Sequence, residues 1–236
     1  DLKMLSGRYY HQMKQYDKAR YELKKSLEWN AKNVDAKQIL VNVEQESKRY
    51  SSAICYVNEL LEVNPYWKGL WSRKIELYEL QGNTVESNRL RKRLSQIYPK
   101  DSKVQEDYLY NTELQANALR KQGKIDEAIS LTSDLLKKQP ENPSHYLTLV
   151  NDHLKTGDYY SALAFAERGL IQFPGNLSLI NKKSGILAEQ KRYDELIPFL
   201  QDQMKFGNRA ALQQQYNYYL LEAARSAKDK DPATLY

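Results

Sequence analysis

Apolar residues spaced three and four positions apart run through most of this chain. The stretch from Glu127 through Ala128, Ile129 and Leu131 to Leu135 and Leu136 shows the pattern, which is one face of a helix. Short polar punctuations interrupt it: KQYDKA at 14–19, KRYSSA at 48–53, GNTVES at 82–87, GKIDEA at 123–128, GDYYSA at 157–162 and KRYDEL at 191–196. Their first residues are Lys14, Lys48, Gly82, Gly123, Gly157 and Lys191, so the intervals are 34, 34, 41, 34 and 34 residues. A proline follows about 17 residues after four of them, at Pro65, Pro99, Pro140 and Pro174. Proline stops a helix from within, so two helices fit between successive prolines, with the punctuation as the turn between them. The longer interval adds seven residues, about two helical turns, and helix phase is nearly kept. It predicts an elongated helix from about Lys103 to Lys121 that carries Tyr108 and Tyr110 and acts as a spacer. A further helix is expected from Ala210 to about Ala227, and Asp231-Pro232 reads as the start of another. Both ends read as cut, as expected of a piece of a longer protein.

These residues carry a resemblance to the tetratricopeptide repeat family over essentially the whole chain. The small position of the second helix is filled by Ala19, Ala53, Ser87, Ala128 and Ala162, with Leu196 as the exception. The small or apolar position of the first helix reads Gly7, Val41, Ile75, Ala116, Val150 and Ser184. An aromatic follows the turn at Tyr16, Tyr50, Tyr159 and Tyr193 and is replaced by Thr84 and Ile125. Departures are Glu44, where the family prefers an aromatic, and Ala31 and Asn208 at the proline position. The resemblance implies an all-α fold, a right-handed superhelical solenoid of about six helix pairs plus a partial terminal repeat. One array is expected over 1–236, with repeats at about 1–33, 34–67, 68–101, 102–142, 143–176 and 177–210, then a terminal segment, 211–236. One such hairpin cannot bury its apolar face alone, so neighbours must stack.

Composition narrows the chemistry. The 236 residues carry 36 Lys and Arg against 30 Asp and Glu, a net +6 that is too dilute for a nucleic-acid-binding tail. No apolar stretch approaches the ~18 residues of a membrane span. The single Cys55 excludes a disulfide framework and a cysteine-based zinc site. There is no HExxH, no glycine-rich phosphate loop and no GxSxG elbow, and His11, His145 and His153 have no partner motif. The expectation is a protein that is not an enzyme, with no catalytic residue, no cofactor and no metal. Asn176-Leu177-Ser178 matches a glycosylation acceptor, a pattern too short to carry weight. Arg89, Arg91, Lys92 and Arg93 form a basic run on a second helix, read as an ordinary solvated outer face.

The resemblance also implies a concave surface lined by the first helix of each pair. One of its positions reads Arg8, Asn42, Glu76, Asn117, Asn151 and Gly185. A carboxamide donates and accepts at once, which suits the backbone of an extended peptide. The same lining yields Arg120, Lys121, Lys155 and Lys182 towards the C-terminus, and Asp35, Glu46, Glu76 and Glu79 opposed by Arg73 towards the N-terminus. A groove positive in its later half and negative in its earlier half follows. No three consecutive repeats supply the Lys, Asn and Arg set of the family's clamp for chaperone tails. The expected function is a non-catalytic scaffold taking a peptide or protein through Asn42, Arg73, Asn117, Arg120, Lys121, Asn151, Lys155 and Lys182. The alternatives are a structural spacer in a larger protein, such as one ending in an outer-membrane barrel, and, less favoured, an RNA-binding helical repeat. No nucleic-acid partner and no membrane insertion are expected, and the chain is expected to be monomeric or weakly self-associating. The bacterial periplasm or envelope and the cytoplasm both stay open as its compartment.

Overall fold

A computed structural model describes residues 1–228; the expected helix start at Asp231-Pro232 lies outside the described residues. Among those described there are thirteen α-helices, one short 3-10 turn and no strand. The helices are α1 (Leu2–Gln12), α2 (Tyr16–Trp29), α3 (Val34–Glu46), α4 (Tyr50–Val63), α5 (Lys68–Leu80), α6 (Thr84–Ile97), α7 (Ser102–Lys121), α8 (Ile125–Lys138), α9 (Pro143–Lys155), α10 (Tyr159–Gln172), α11 (Leu177–Glu189), α12 (Tyr193–Gln203) and α13 (Arg209–Lys228). They form six helix pairs and a further helix, an all-α helical repeat. The long helix expected over Lys103–Lys121 is α7, with Tyr108 buried and Tyr110 exposed. The chain divides into two compact units, Asp1–Asn111 and Thr112 onwards, with the boundary inside α7. Where a single array was expected over 1–236, the chain forms these two units.

The six punctuations are six copies of one backbone device. Each opens on a residue in the left-handed region: Lys14 at φ 54°, Lys48 at 59°, Gly82 at 77°, Gly123 at 77°, Gly157 at 76° and Lys191 at 56°. At each, that residue's N–H donates to the carbonyl three back and the next N–H to the carbonyl five back. Lys14 to His11 and Gln15 to Tyr10, at 2.8 and 2.9 Å, are the first pair; Lys191 to Ala188 and Arg192 to Leu187, both 2.9 Å, are the last. This double bond satisfies the orphan carbonyls of the first helix and turns the chain into the second. Glycine adopts that conformation freely, whereas lysine brings its Cβ against the following carbonyl. Replacing Lys14, Lys48 or Lys191 with Gly should therefore stabilise the fold by about 0.5–1 kcal/mol each. Urea denaturation midpoints check this, and a loss of stability at all three sites would reject the strain argument.

Asparagine or aspartate starts most of the first helices. Asn33, Asn142 and Asn176 accept from the N–H groups of Ala36, Ser144 and Leu179, and Asp101 accepts from Val104. Packing then follows the small seats. Ala19, Ala53, Ala128 and Ala162 have no exposed surface, Ser87 has almost none, and Leu196 is buried as fully. Gly7, Val41, Ile75, Ala116, Val150 and Ser184 are buried opposite them. The first unit's core gathers Leu40, Val57, Leu60, Leu77 and Leu94, and the second unit's gathers Leu149, Leu179, Ile180, Leu187 and Leu200. No helix among the described residues is long and apolar enough to cross a membrane.

Candidate interaction surfaces

In the first unit, Asn42 of α3 and Arg73 of α5 line one cleft of about 230 Å³ with Gln38, Trp67, Gly69 and Leu70. Arg73 donates through Nη1 to Gln45 Oε1 at 2.8 Å and lies 3.6 Å from Glu76 Oε2. Gln45 in turn donates to Glu76 at 3.1 Å, so the guanidinium belongs to a short polar chain that joins α3 to α5. The sequence-derived pair is brought together here, with the cation already partly neutralised.

In the second unit, Arg120 departs from the role expected of a free groove cation. Its Nε donates to Asp152 Oδ2 at 2.8 Å, its Nη1 to Asn117 Oδ1 at 2.9 Å and its Nη2 to Thr132 Oγ1. The Asp152 side chain is 2% exposed and that of Arg120 is 14% exposed. The pair therefore ties α7 and α8 to α9 from inside. Asn117, though exposed, has its carbonyl occupied by the same guanidinium. Asn151 and Lys155 lie four apart on one face of α9, Lys121 ends α7 and Lys182 sits on α11. Lys121 and Lys155 are exposed, while Asn151 and Lys182 are half-buried. Among the described residues, these four side chains enter none of the hydrogen bonds or ion pairs that hold the unit.

The basic run on α6 is exposed, as expected of an outer face, except at Arg91. Arg91 is buried, donates through Nε to Asp107 Oδ2 at 2.9 Å, and pairs with Glu79 through Nη2. Arg89, Lys92 and Arg93 are exposed; Arg89 pairs with Glu86, and Arg93 lies 4.9 Å from the centre of the buried Trp71 ring. A third internal ion pair joins α2 to α3. Arg20 donates to Glu44 at 2.7 and 3.3 Å and to Ser47 at 3.1 Å, with the Glu44 side chain only 2% exposed. These pairs escaped the groove-based reading, yet a signal existed. One repeat away, the seat of Glu44 holds Tyr10 and Tyr78, that of Asp152 holds Ile186, and that of Arg91 holds Val57. A charged residue at a seat that is apolar elsewhere in the array marks an internal pair.

Among the histidines, His145 is buried, within 3.0 Å of Gln139 Oε1, and burial pushes its pKa down. His153 stacks on Phe165 at 5.4 Å and lies 3.3 Å from Asp158, and His11 lies 3.1 Å from Glu46. Cys55 is an exposed free thiol. Among the described residues no group of three or more His, Cys, Asp or Glu side chains is placed to hold a metal ion.

No protein-family model matches the chain, and no curated protein matches it. Solved structures do. The TPR2AB domain of yeast Sti1 in complex with pHSP90 is 13% identical, with a TM-score of 0.40 over 95% of this chain and 98% of that one. A tetratricopeptide repeat protein from Parabacteroides merdae is 15% identical, with a TM-score of 0.40 over 93% and 83%. The structure of Naa15/Naa10 bound to HypK-THB is 16% identical, with a TM-score of 0.47 over 96% of this chain but only 34% of that one. What those proteins bind is a property of those proteins.

Proposed function

We propose that this chain is a non-catalytic protein-interaction scaffold, and that its second unit takes an extended acidic segment of a partner along the first helices of its pairs. The observation that supports this is a contrast in how charges are used. Arg120 and Asp152 are consumed inside the unit, while Lys121, Lys155, Lys182 and the Asn151 carboxamide enter none of the internal bonds among the described residues. Those four lie on α7, α9 and α11, the first helices of three successive pairs. Lysines there would attract carboxylates and set the rate of encounter, and Asn151 would pair with a guest's main chain.

A labelled peptide of alternating Glu and Gly is the probe, titrated at several salt concentrations. Binding should weaken steeply with salt, and reversing Lys121, Lys155 and Lys182 to Glu should slow association and flatten that dependence. Asn151→Ala should lower affinity about two- to twelvefold, one net hydrogen bond, with the thermal midpoint unmoved. Arg89→Glu, on the outer face of the first unit, should change nothing. Equal binding of a Lys-Gly peptide, or undiminished binding by the triple reversal, rejects the proposal.

A further inference from the structure

A second pocket, between α11 and α13, has a different chemistry. It is an open hollow of about 370 Å³, within the size range of small-ligand sites, and is lined by Asn181, Ser184, Gln214, Gln215, Tyr218 and Tyr219. All six are uncharged, and burial raises the Tyr219 phenol pKa, which keeps it so. Two polar atoms in this lining are buried and have no hydrogen-bond partner: the Ser184 hydroxyl, on a residue 1% exposed, and Gln215 Oε1. Gln215 uses its Nε2 to donate to Asn181 Oδ1 at 2.7 Å, which fixes the orientation of the amide and leaves its acceptor unmatched. Native structures rarely leave such atoms without a partner, and a serine in a helix ordinarily bonds back to its own turn. At the rim Tyr218 is 58% exposed and meets Tyr219 edge to face, ring centres 5.1 Å apart.

We infer that this pocket is a binding site for a neutral saccharide. A sugar ring carries adjacent hydroxyls that each donate and accept, which matches a buried hydroxyl beside a buried amide acceptor. Its C–H face is slightly positive and lies well against the negative face of an aromatic ring, which Tyr218 offers. Among the described residues, charged side chains, which would fix the register of a peptide and reward an ionic ligand, are absent from the lining. The site is independent of the acidic-segment reading, since it uses none of Lys121, Asn151, Lys155 or Lys182.

The test uses the full 236-residue chain. Cellotriose, maltotriose and chitotriose are titrated into millimolar range while the side-chain amide signals of Asn181 and Gln215 are followed by NMR. At least one should saturate, and Ser184→Ala and Tyr218→Ala should each weaken it about five- to tenfold. The Ser184→Ala thermal midpoint should hold or rise, because the lost hydroxyl has no partner inside the protein; a purely structural serine would lower it. Reversal of Lys121, Lys155 and Lys182 should leave saccharide binding intact, so failure of one proposal is separable from failure of the other. The inference is overturned if none of the three sugars saturates, or if both pocket variants bind as well as the parent. It is overturned equally if a capped neutral peptide, Ala-Asn-Ala-Gln-Ala, occupies the same signals more tightly than any of the sugars.

Discussion

Glu44→Ala should destabilise the fold by about 3–5 kcal/mol, because it leaves the Arg20 guanidinium buried without its main counter-charge. Arg20, whose side chain is 10% exposed, would keep the exposed Asp17 at 2.6 Å and the Ser47 hydroxyl. A loss of that size is a large share of the 5–15 kcal/mol that typically separates folded from unfolded chains. The second half of the prediction separates an unpaired charge from a lost contact. Arg20→Ile with Glu44→Leu installs the residue types found one or more repeats away, Ile54 at the first seat and Leu187 at the second. The double variant should recover most of the loss and come out near the parent, since a buried ion pair and a well-packed apolar pair of similar volume differ little in net stability. Denaturant unfolding of the three proteins decides it. If the double variant is as unstable as Glu44→Ala, the ion pair contributes more than burial of like-sized apolar groups could, and the argument fails.

That pair also marks where the sequence stops being legible. The turns were readable to the residue, because a left-handed position recurs at fixed intervals and glycine fills it at Gly82, Gly123 and Gly157. Small seats such as Ala19 and Ala162 were readable too, because close helix crossing admits few side chains. Groove position alone, however, says which helix face a residue occupies and nothing about what its head group reaches. Arg120 and Lys121 are neighbours in sequence with the same charge; one bonds Asp152 in the interior and the other stands in water. The difference lies in Asp152, an acid at a seat that is Val43, Leu77 and Ile186 elsewhere. Comparing repeats with each other, as well as with a family pattern, would have shown it. The unmatched Ser184 hydroxyl was beyond reach altogether: serine there reads as one more small residue, and only the geometry shows its oxygen without a partner.

Gly169→Val should cost about 1–3 kcal/mol or more, whereas Gly185→Ala should gain about 0.5–1 kcal/mol, although both glycines lie inside helices of the same unit. A Cβ at Gly169 would stand 2.8 Å from Leu179 Cδ1 and 3.1 Å from Tyr146 Cβ, distances that require something to move. Leu179 is fully buried and Tyr146 nearly so, and each belongs to the second unit's main cluster. Relief for the new side chain must therefore come from shifting α9 or α11 against α10, which loosens packing across two helix pairs. At Gly185 nothing lies within 4 Å, so a methyl group meets no neighbour and the only change is better helix propensity. Gly169→Ala falls between, with the same propensity gain set against a smaller clash, and should be near neutral or mildly destabilising. Thermal and urea denaturation of the three variants give the order Gly185→Ala above parent, then Gly169→Ala, then Gly169→Val. An inverted order would mean that the α10–α11 crossing has slack, and that the small seats of this array are set by helix propensity instead of by the distance between helix axes.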